Sequence, residues 1–259
     1  MAPLSLRDLT EGLVERDETQ VLPRPEIPAP VRSAINELPE RLRAIAEESC
    51  YEWTEVSWDD YLIIAGDRES TGLPGVRPCF TTALFRQSLM KLDMVPLGKD
   101  HGRCNSVPVK AATLFAAFQR FKTAEYINTT LRKTGEDDCQ PDLAIYVGEG
   151  LPTPGNEVID LDEFDPPNLG IEVAATSEGE DLGYKRMFYE NLGIQEYWVI
   201  ITRMRKLAAF AIADGRSGEI KESVVLPRLD LAIVDEALRR TDGNDDAATT
   251  RWLIEKFSG

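Results

Sequence analysis

Positive charge is scarce in this chain. Its 259 residues carry 29 Lys and Arg against 45 Asp and Glu, a formal net charge of −16. A surface of that sign repels polyanions as a whole, and nucleic-acid binding normally draws its affinity from phosphates neutralised by Lys and Arg. Tight non-specific DNA binding is therefore argued against, whereas a local basic groove, or a partner that delivers a substrate, is not. Histidine is scarcer still: His101 is the single one, and without structure it supports no argument for a Ser-His-Asp arrangement. The four cysteines, Cys50, Cys79, Cys104 and Cys139, are widely spread. No pair has the spacing of a zinc knuckle or redox motif, and four free thiols are the expectation for a reducing compartment. No run of about 18 apolar residues is present to cross a membrane. The first 20 residues have no apolar signal-peptide core. The expectation is a cytoplasmic protein with no membrane partner.

What is present is ordinary for a globular chain: 42% hydrophobic and 29% charged residues. The length is enough for one large domain, or one domain with terminal additions. Four prolines in "LPRPEIPAP" (22–30) read as an extended linker. In "VRSAINELPERLRAIAEES" (31–49), Ala34, Leu38, Leu42 and Ile45 recur at helical spacing. "SWDDYLIIAG" (57–66) suits a second helix with Ser57 as N-cap. A further helix is expected from about Val107, with Leu114, Phe115, Phe118 and Phe121 on one side. "YINTTLRKTG" and "PDLAIYVG" read as strands with a turn between them. The stretch 169–202 reads as strand (169–175), helix (about 180–192) and strand (196–202), a unit that normally makes a parallel crossover. A hairpin with an Asp-Gly turn signal (206–226) and two C-terminal helices follow.

One charge stands out against this background. The run from Leu169 to Ala175 is apolar except for Glu172. A parallel strand covered on both faces is expected to be apolar throughout, and an unpaired buried carboxylate is costly or becomes protonated. Glu172 therefore needs a cation, a hydrogen-bond network or a metal ion. The next helix supplies a cation. At about 100° per residue, Lys185 falls inside the apolar arc of Leu182, Tyr184, Phe188, Tyr189 and Leu192, while Arg186 and Glu190 fall on the outer face. Asp142, directly after a proline at the entrance of "LAIYV", adds a second strand carboxylate. Two carboxylates can hold a hard divalent cation with water completing its shell, and a lysine beside an attacking water can orient it and stabilise developing charge. The competing reading is a buried Glu172–Lys185 ion pair, with Asp142 capping a turn. Spacing alone leaves both open.

The segments "VSWDDYL", "KLDMVPLGKDHGR", "TTLRKTGEDDCQPDLAIYV", "IEVAATS" and "YKRMFYENLGIQEYWVI", in that order, resemble the PD-(D/E)XK nuclease superfamily, and more closely its Uma-two-type restriction endonucleases. The resemblance spans roughly residues 52–228. It implies that Asp142 and Glu172 bind magnesium, with manganese as the alternative ion. The superfamily pattern expects a lysine two residues after the second acid, where this chain has Ala174. Uma-two-type families commonly place that lysine on the following helix, and Lys185 matches the position. The resemblance also implies a histidine after a "MSP"-like turn, here His101 in "MVPLGKDHGR", contacting the scissile phosphate or lying near the metal. The alternative for His101 is a structural hydrogen bond at a helix start. Lys99 and Arg103 beside it, and Arg203 and Arg205 in "RMRK", are candidate contacts to the DNA backbone, each with solvated charge as the alternative.

The expected fold is α/β: a restriction-endonuclease-like mixed, twisted sheet flanked by helices. The expected organisation is an N-terminal helical and linker extension (1–50), the nuclease-like domain (51–228) and a C-terminal helical extension (229–259). The expected activity is metal-dependent endonucleolytic hydrolysis of DNA by Asp142, Glu172, Lys185 and His101. A homodimer and a delivering or activating protein are the further partners this reading admits. Two rivals are carried: a nuclease fold that has lost catalysis and serves binding, motivated by Ala174 and the net charge, and an RNA-directed nuclease of a defence system.

Overall fold

The strand–helix–strand unit read from the sequence forms the middle of the molecule. The computed structural model of the protein describes residues 52–53, 57–65, 82–86, 89–93, 98–155, 158–174, 181–213 and 216–258. The linker and helix expected within 22–49, together with Cys50 and Cys79, lie outside the described residues. Among the described residues the chain runs β1 (Glu52–Trp53), α1 (Trp58–Ala65), β2 (Thr82–Arg86), β3 (Leu89–Asp93), α2 (Lys99–Gln119), β4 (Thr123–Ile127), β5 (Leu131–Lys133), β6 (Asp137–Cys139), β7 (Leu143–Val147), β8 (Ile159–Asp160), β9 (Leu169–Ala174), α3 (Tyr184–Leu192), β10 (Glu196–Ile201), β11 (Lys206–Ala213), β12 (Arg216–Glu219), α4 (Leu231–Arg240) and α5 (Asp246–Phe257).

The larger sheet is mixed, in the order β12-β11-β10-β9-β7-β4. β9 and β10 are parallel, with Glu172 opposite Val199, and every other neighbouring pair is antiparallel. The parallel pair is what α3 connects, because two parallel strands need a crossover. Gly193 closes α3 at φ 94, a backbone region that favours glycine, and its N–H bonds back to the Glu190 carbonyl. One face of the sheet packs Leu169, Ile171, Val173, Trp198 and Ile200 against α2, α4 and α5. The other face packs Ala174, Tyr197, Val199 and Ile201 against Phe188, Tyr189 and Leu192 of α3 and against Leu131, Cys139 and Ile159 of a second sheet. That second sheet has the order β1-β3-β2-β6-β5-β8. The fold is thus the expected mixed sheet with helices on its faces. The two C-terminal helices share its main core through Leu231, Val234, Leu238, Leu253 and Phe257.

Four local readings are corrected. α2 begins at Lys99, not near Val107, and Pro108 sits inside it. A proline is at home in a first helical turn, which made Val107 look like the start. The real first turns are instead held by tertiary burial of His101, Cys104 and Asn105. For the same reason the buried stripe of α2 is Cys104, Val107, Ala111, Ala112 and Phe115, and Phe118 is exposed. "YINTTLRKTG" is not one strand: Asn128 adopts φ 48, ends β4 and redirects the chain into β5 of the other sheet. Arg186 and Glu190 are half-buried, and the Arg186 guanidinium lies 4.7 Å from the centre of the Phe210 ring on β11. β11 of the larger sheet covers a helix face that an isolated wheel assigns to solvent. The 206–213 and 216–219 strands pair as read, with Ala213 opposite Arg216.

Candidate active site

Strand alternation divides β9 between two environments. Leu169, Ile171 and Val173 enter the α2 side of the core, so Glu172 and Ala174 face α3. Glu172 is 5% exposed. Its Oε1 accepts the Tyr189 hydroxyl at 2.5 Å, and Lys185 Nζ lies 3.1 Å from Oε2. Both partners come from α3, four residues apart, which places them on one helix face. Lys185 is therefore inward, as the wheel required. Nζ lies as close to a second carboxylate, Asp181 Oδ1, at 2.9 Å.

Asp142 joins this group from the antiparallel neighbour. β7 pairs with β9 through Leu143 opposite Ile171, and one further step of that register sets Asp142 opposite Glu172. Its Oδ2 accepts the Val173 backbone N–H at 2.7 Å and lies 3.2 Å from His101 Nε2. With Asp142 as the acceptor, the Nε2–H tautomer of His101 is the one that donates in this contact. Asn105, one turn after His101 on α2, directs its amide at the Asp142 backbone carbonyl, at 3.5 Å. The structure thus brings together Asp142, Glu172, Lys185 and His101, all named from the sequence. His101 reaches the group through Asp142.

Burial pushes Glu172 up to about 8, ahead of the opposing pull of Lys185, and the charges of Asp142 and Asp181 add to the rise. Burial works against the charge on Lys185, but Glu172 and Asp181 outweigh it and hold the ammonium above its ordinary value. Burial, then Glu172, raises the Tyr189 hydroxyl, which keeps it a donor. Two carboxylates, Glu172 and Asp181, flank the Lys185 ammonium, and a third, Asp142, stands opposite Glu172; none is more than 6% exposed. Ionised together they leave two negative charges uncompensated. Such a group must hold a proton or attract a cation.

The proposed phosphate contacts sit at the start of α2 and on the turn after β10. Lys99 is exposed at the first position of α2. Arg103 donates to Asn244 and Asp246 at 2.7 and 2.8 Å. Arg203 lies exposed in the single turn Thr202–Met204. Arg205 is paired with Asp242 at 3.0 Å and Asp100 at 3.4 Å. Arg103 and Arg205 therefore tie α2 and the turn to the segment around α5.

Sequence reasoning missed three members of the site. Asp181 precedes Lys185 by four residues, the spacing of a helical ion pair, and that was the available signal. Tyr189 was read as apolar surface, although a buried tyrosine normally finds a partner for its hydroxyl. Asn105 carried no pattern.

A family model described as "Putative restriction endonuclease" (Uma2) matches residues 91–243. No curated protein matches the chain. Among solved structures, a protein from Anabaena variabilis ATCC 29413, titled a putative nuclease belonging to DUF820, aligns with a TM-score of 0.50 at 14% identity. The alignment covers 71% of this chain and 99% of that one, a likeness of fold. The family match takes in all of α2, β7, β9 and α3, and with them His101, Asp142, Glu172 and Lys185, and it spans more than half of the 259 residues. The chain belongs to the Uma2 family of putative restriction endonucleases.

Proposed function

We propose that the chain is a magnesium-dependent endonuclease that hydrolyses phosphodiester bonds in DNA at the Asp142, Glu172 and Lys185 cluster. The observation that carries this reading is the convergence of two strand carboxylates and one helix lysine in a single buried group. Family membership supports the nuclease class, and the cluster supports the choice of residues.

The donors suit magnesium. Among the described residues no group of three or more His, Cys, Asp and Glu side chains is arranged to hold a metal ion. Magnesium asks for less, because it keeps several waters and takes one or two carboxylates. Asp142 and Glu172 are hard oxygen donors; burial, and after it the charge of Asp142, raises Glu172, and a divalent cation offsets that charge. Manganese fits the same donors. When bound, the ion would polarise a phosphoryl oxygen and offset charge in the transition state.

The chain supplies the remainder. Asp142 is oriented by Val173 N–H and His101. Tyr189 fixes one oxygen of Glu172. Lys185, kept charged, would orient the attacking water and stabilise the developing negative charge. His101 acts by holding Asp142. Lys99 and Arg203 are the candidate phosphate contacts, with Arg103 and Arg205 contributing once their present acidic partners yield. Binding through few cations on an acidic protein favours a delivering or activating partner, or a homodimer that pools two sites.

The test is cleavage of supercoiled plasmid and of single-stranded DNA and RNA in magnesium, manganese or EDTA, with wild type beside Glu172→Ala and Lys185→Ala. Metal-dependent DNA cutting lost in both variants is the expected result. Cutting of RNA alone would move the substrate class. Absence of cutting, with all proteins folded, would leave a nuclease fold used for binding. One observation favours that second reading: both oxygens of Glu172 already have partners without any metal.

A further inference from the structure

Lys185 bridges two carboxylates, and the reading above uses only one of them. Nζ lies 2.9 Å from Asp181 and 3.1 Å from Glu172. Asp181 is 1% exposed, so its carboxylate is not a chance surface neighbour. Its backbone is fixed as well, because its carbonyl accepts the Tyr197 hydroxyl at 3.0 Å. Tyr197 is fully buried and lies on β10, beside β9.

This arrangement creates a competition. A divalent cation that engages Glu172 meets an ammonium already seated on Oε2. Two cations on one carboxylate repel each other strongly in so buried a place. Tyr189 holds the other oxygen, so Glu172 cannot simply turn away. The ammonium needs a second anchor within reach, and Asp181 is that anchor.

We propose that Asp181 is a positioning residue: it takes up Lys185 when Glu172 engages a divalent cation, so that the lysine stays charged beside the site without competing for the metal's ligand. The proposal rests on the metal reading of Asp142 and Glu172. Asp181 touches neither substrate nor metal in this scheme and acts only through Lys185.

The experiment is calorimetric titration of magnesium and manganese into the full chain without nucleic acid, so that binding is read apart from activity. The proteins are wild type, D181N, D181E, K185M and the D181N/K185M double variant. Without Asp181, the lysine has Glu172 alone and excludes the metal, so D181N weakens binding by about tenfold, within the usual range of site coupling. K185M removes the competitor and binds at least as tightly as wild type. In the K185M background the D181N change has an effect below about twofold, because its route is gone. D181E restores most of the wild-type affinity. Equal weakening by D181N in both backgrounds would mean a through-space charge effect and overturns the proposal. An unchanged affinity in D181N overturns it too. Should D181N not fold, K185M decides: weaker binding than wild type refutes the competition. Failure of wild type to bind either ion is a separate outcome, and it removes the metal reading itself.

Discussion

Glu172 makes a definite claim about stability and pH. Its carboxyl is raised to about 8 from an ordinary 4.5, chiefly by burial. The folded protein therefore holds a proton on Glu172 through a range in which the unfolded chain has released it. In that range the folded state binds more protons, so stability falls as pH rises. The contribution is fully present below about 4.5, is lost progressively towards about 8, and is flat above. Glu172→Gln keeps the shape and cannot ionise. The stability of wild type relative to this variant should drop by something on the order of 3 kcal/mol between pH 5 and 8 in EDTA. Taking the difference cancels the general repulsion of a chain with net charge −16. The assay is urea unfolding of both proteins at half-unit pH steps, with and without saturating magnesium. Under the metal reading, magnesium stabilises wild type more at pH 8 than at pH 5, because it binds the ionised carboxylate. Parallel curves for the two proteins across the window would refute the burial argument and return Glu172 to a fully ionised pair with Lys185.

Other outcomes follow from the same geometry. Glu196, fully buried, accepts from Trp198 Nε1, Ser223 Oγ and the backbone N–H groups of Val224 and Val225. Glu196→Ala strands those donors and should cost roughly 3–5 kcal/mol in urea unfolding. Asp230 caps α4 by accepting from the Ala232 N–H at 2.9 Å. Asp230→Ala should cost about 1 kcal/mol, read as a shifted urea midpoint with no change in cutting. Lys99→Ala should weaken DNA binding evenly across sequences and reduce the salt slope by about one counterion, measured by anisotropy at several salt concentrations. No change in slope would leave Lys99 as solvated charge.

The mixed sheet was legible because its strands have opposite faces in unlike company. Apolar residues run through β9 and β10 with one glutamate in each, Glu172 and Glu196, and α3 repeats at helical spacing. Both patterns depend on near neighbours in the chain. What escaped depends on distant ones. β5 and β6 are three residues each, too short for a period, and they exist because Asn128 turns the chain towards β2. The start of α2 was hidden because the burial of His101 and Asn105 comes from Asp142, 41 and 37 positions away. Arg186 looked solvated until β11 was placed against it.

The lysine shows most directly what chain spacing can and cannot carry. Ala174 stands where the superfamily pattern has its lysine, and it shares a strand face with Glu172. Under the proposed function, the geometry offers a reason for a lysine on the helix to serve instead. α3 crosses that same face, and a lysine one turn before Tyr189 brings its ammonium to within 3.1 Å of Glu172. A lysine at position 174 would enter the packed group of Phe188, Tyr189 and Ile201, where Ala174 is fully buried. A long charged side chain there would have to displace that group or remain desolvated. Ala174→Lys with Lys185→Met should therefore lose several kcal/mol of stability by urea unfolding and fail to rebuild the site. Recovery of metal-dependent cutting by that double variant would show that the two lysine positions are interchangeable here, and that α3 carries no special part in placing the charge.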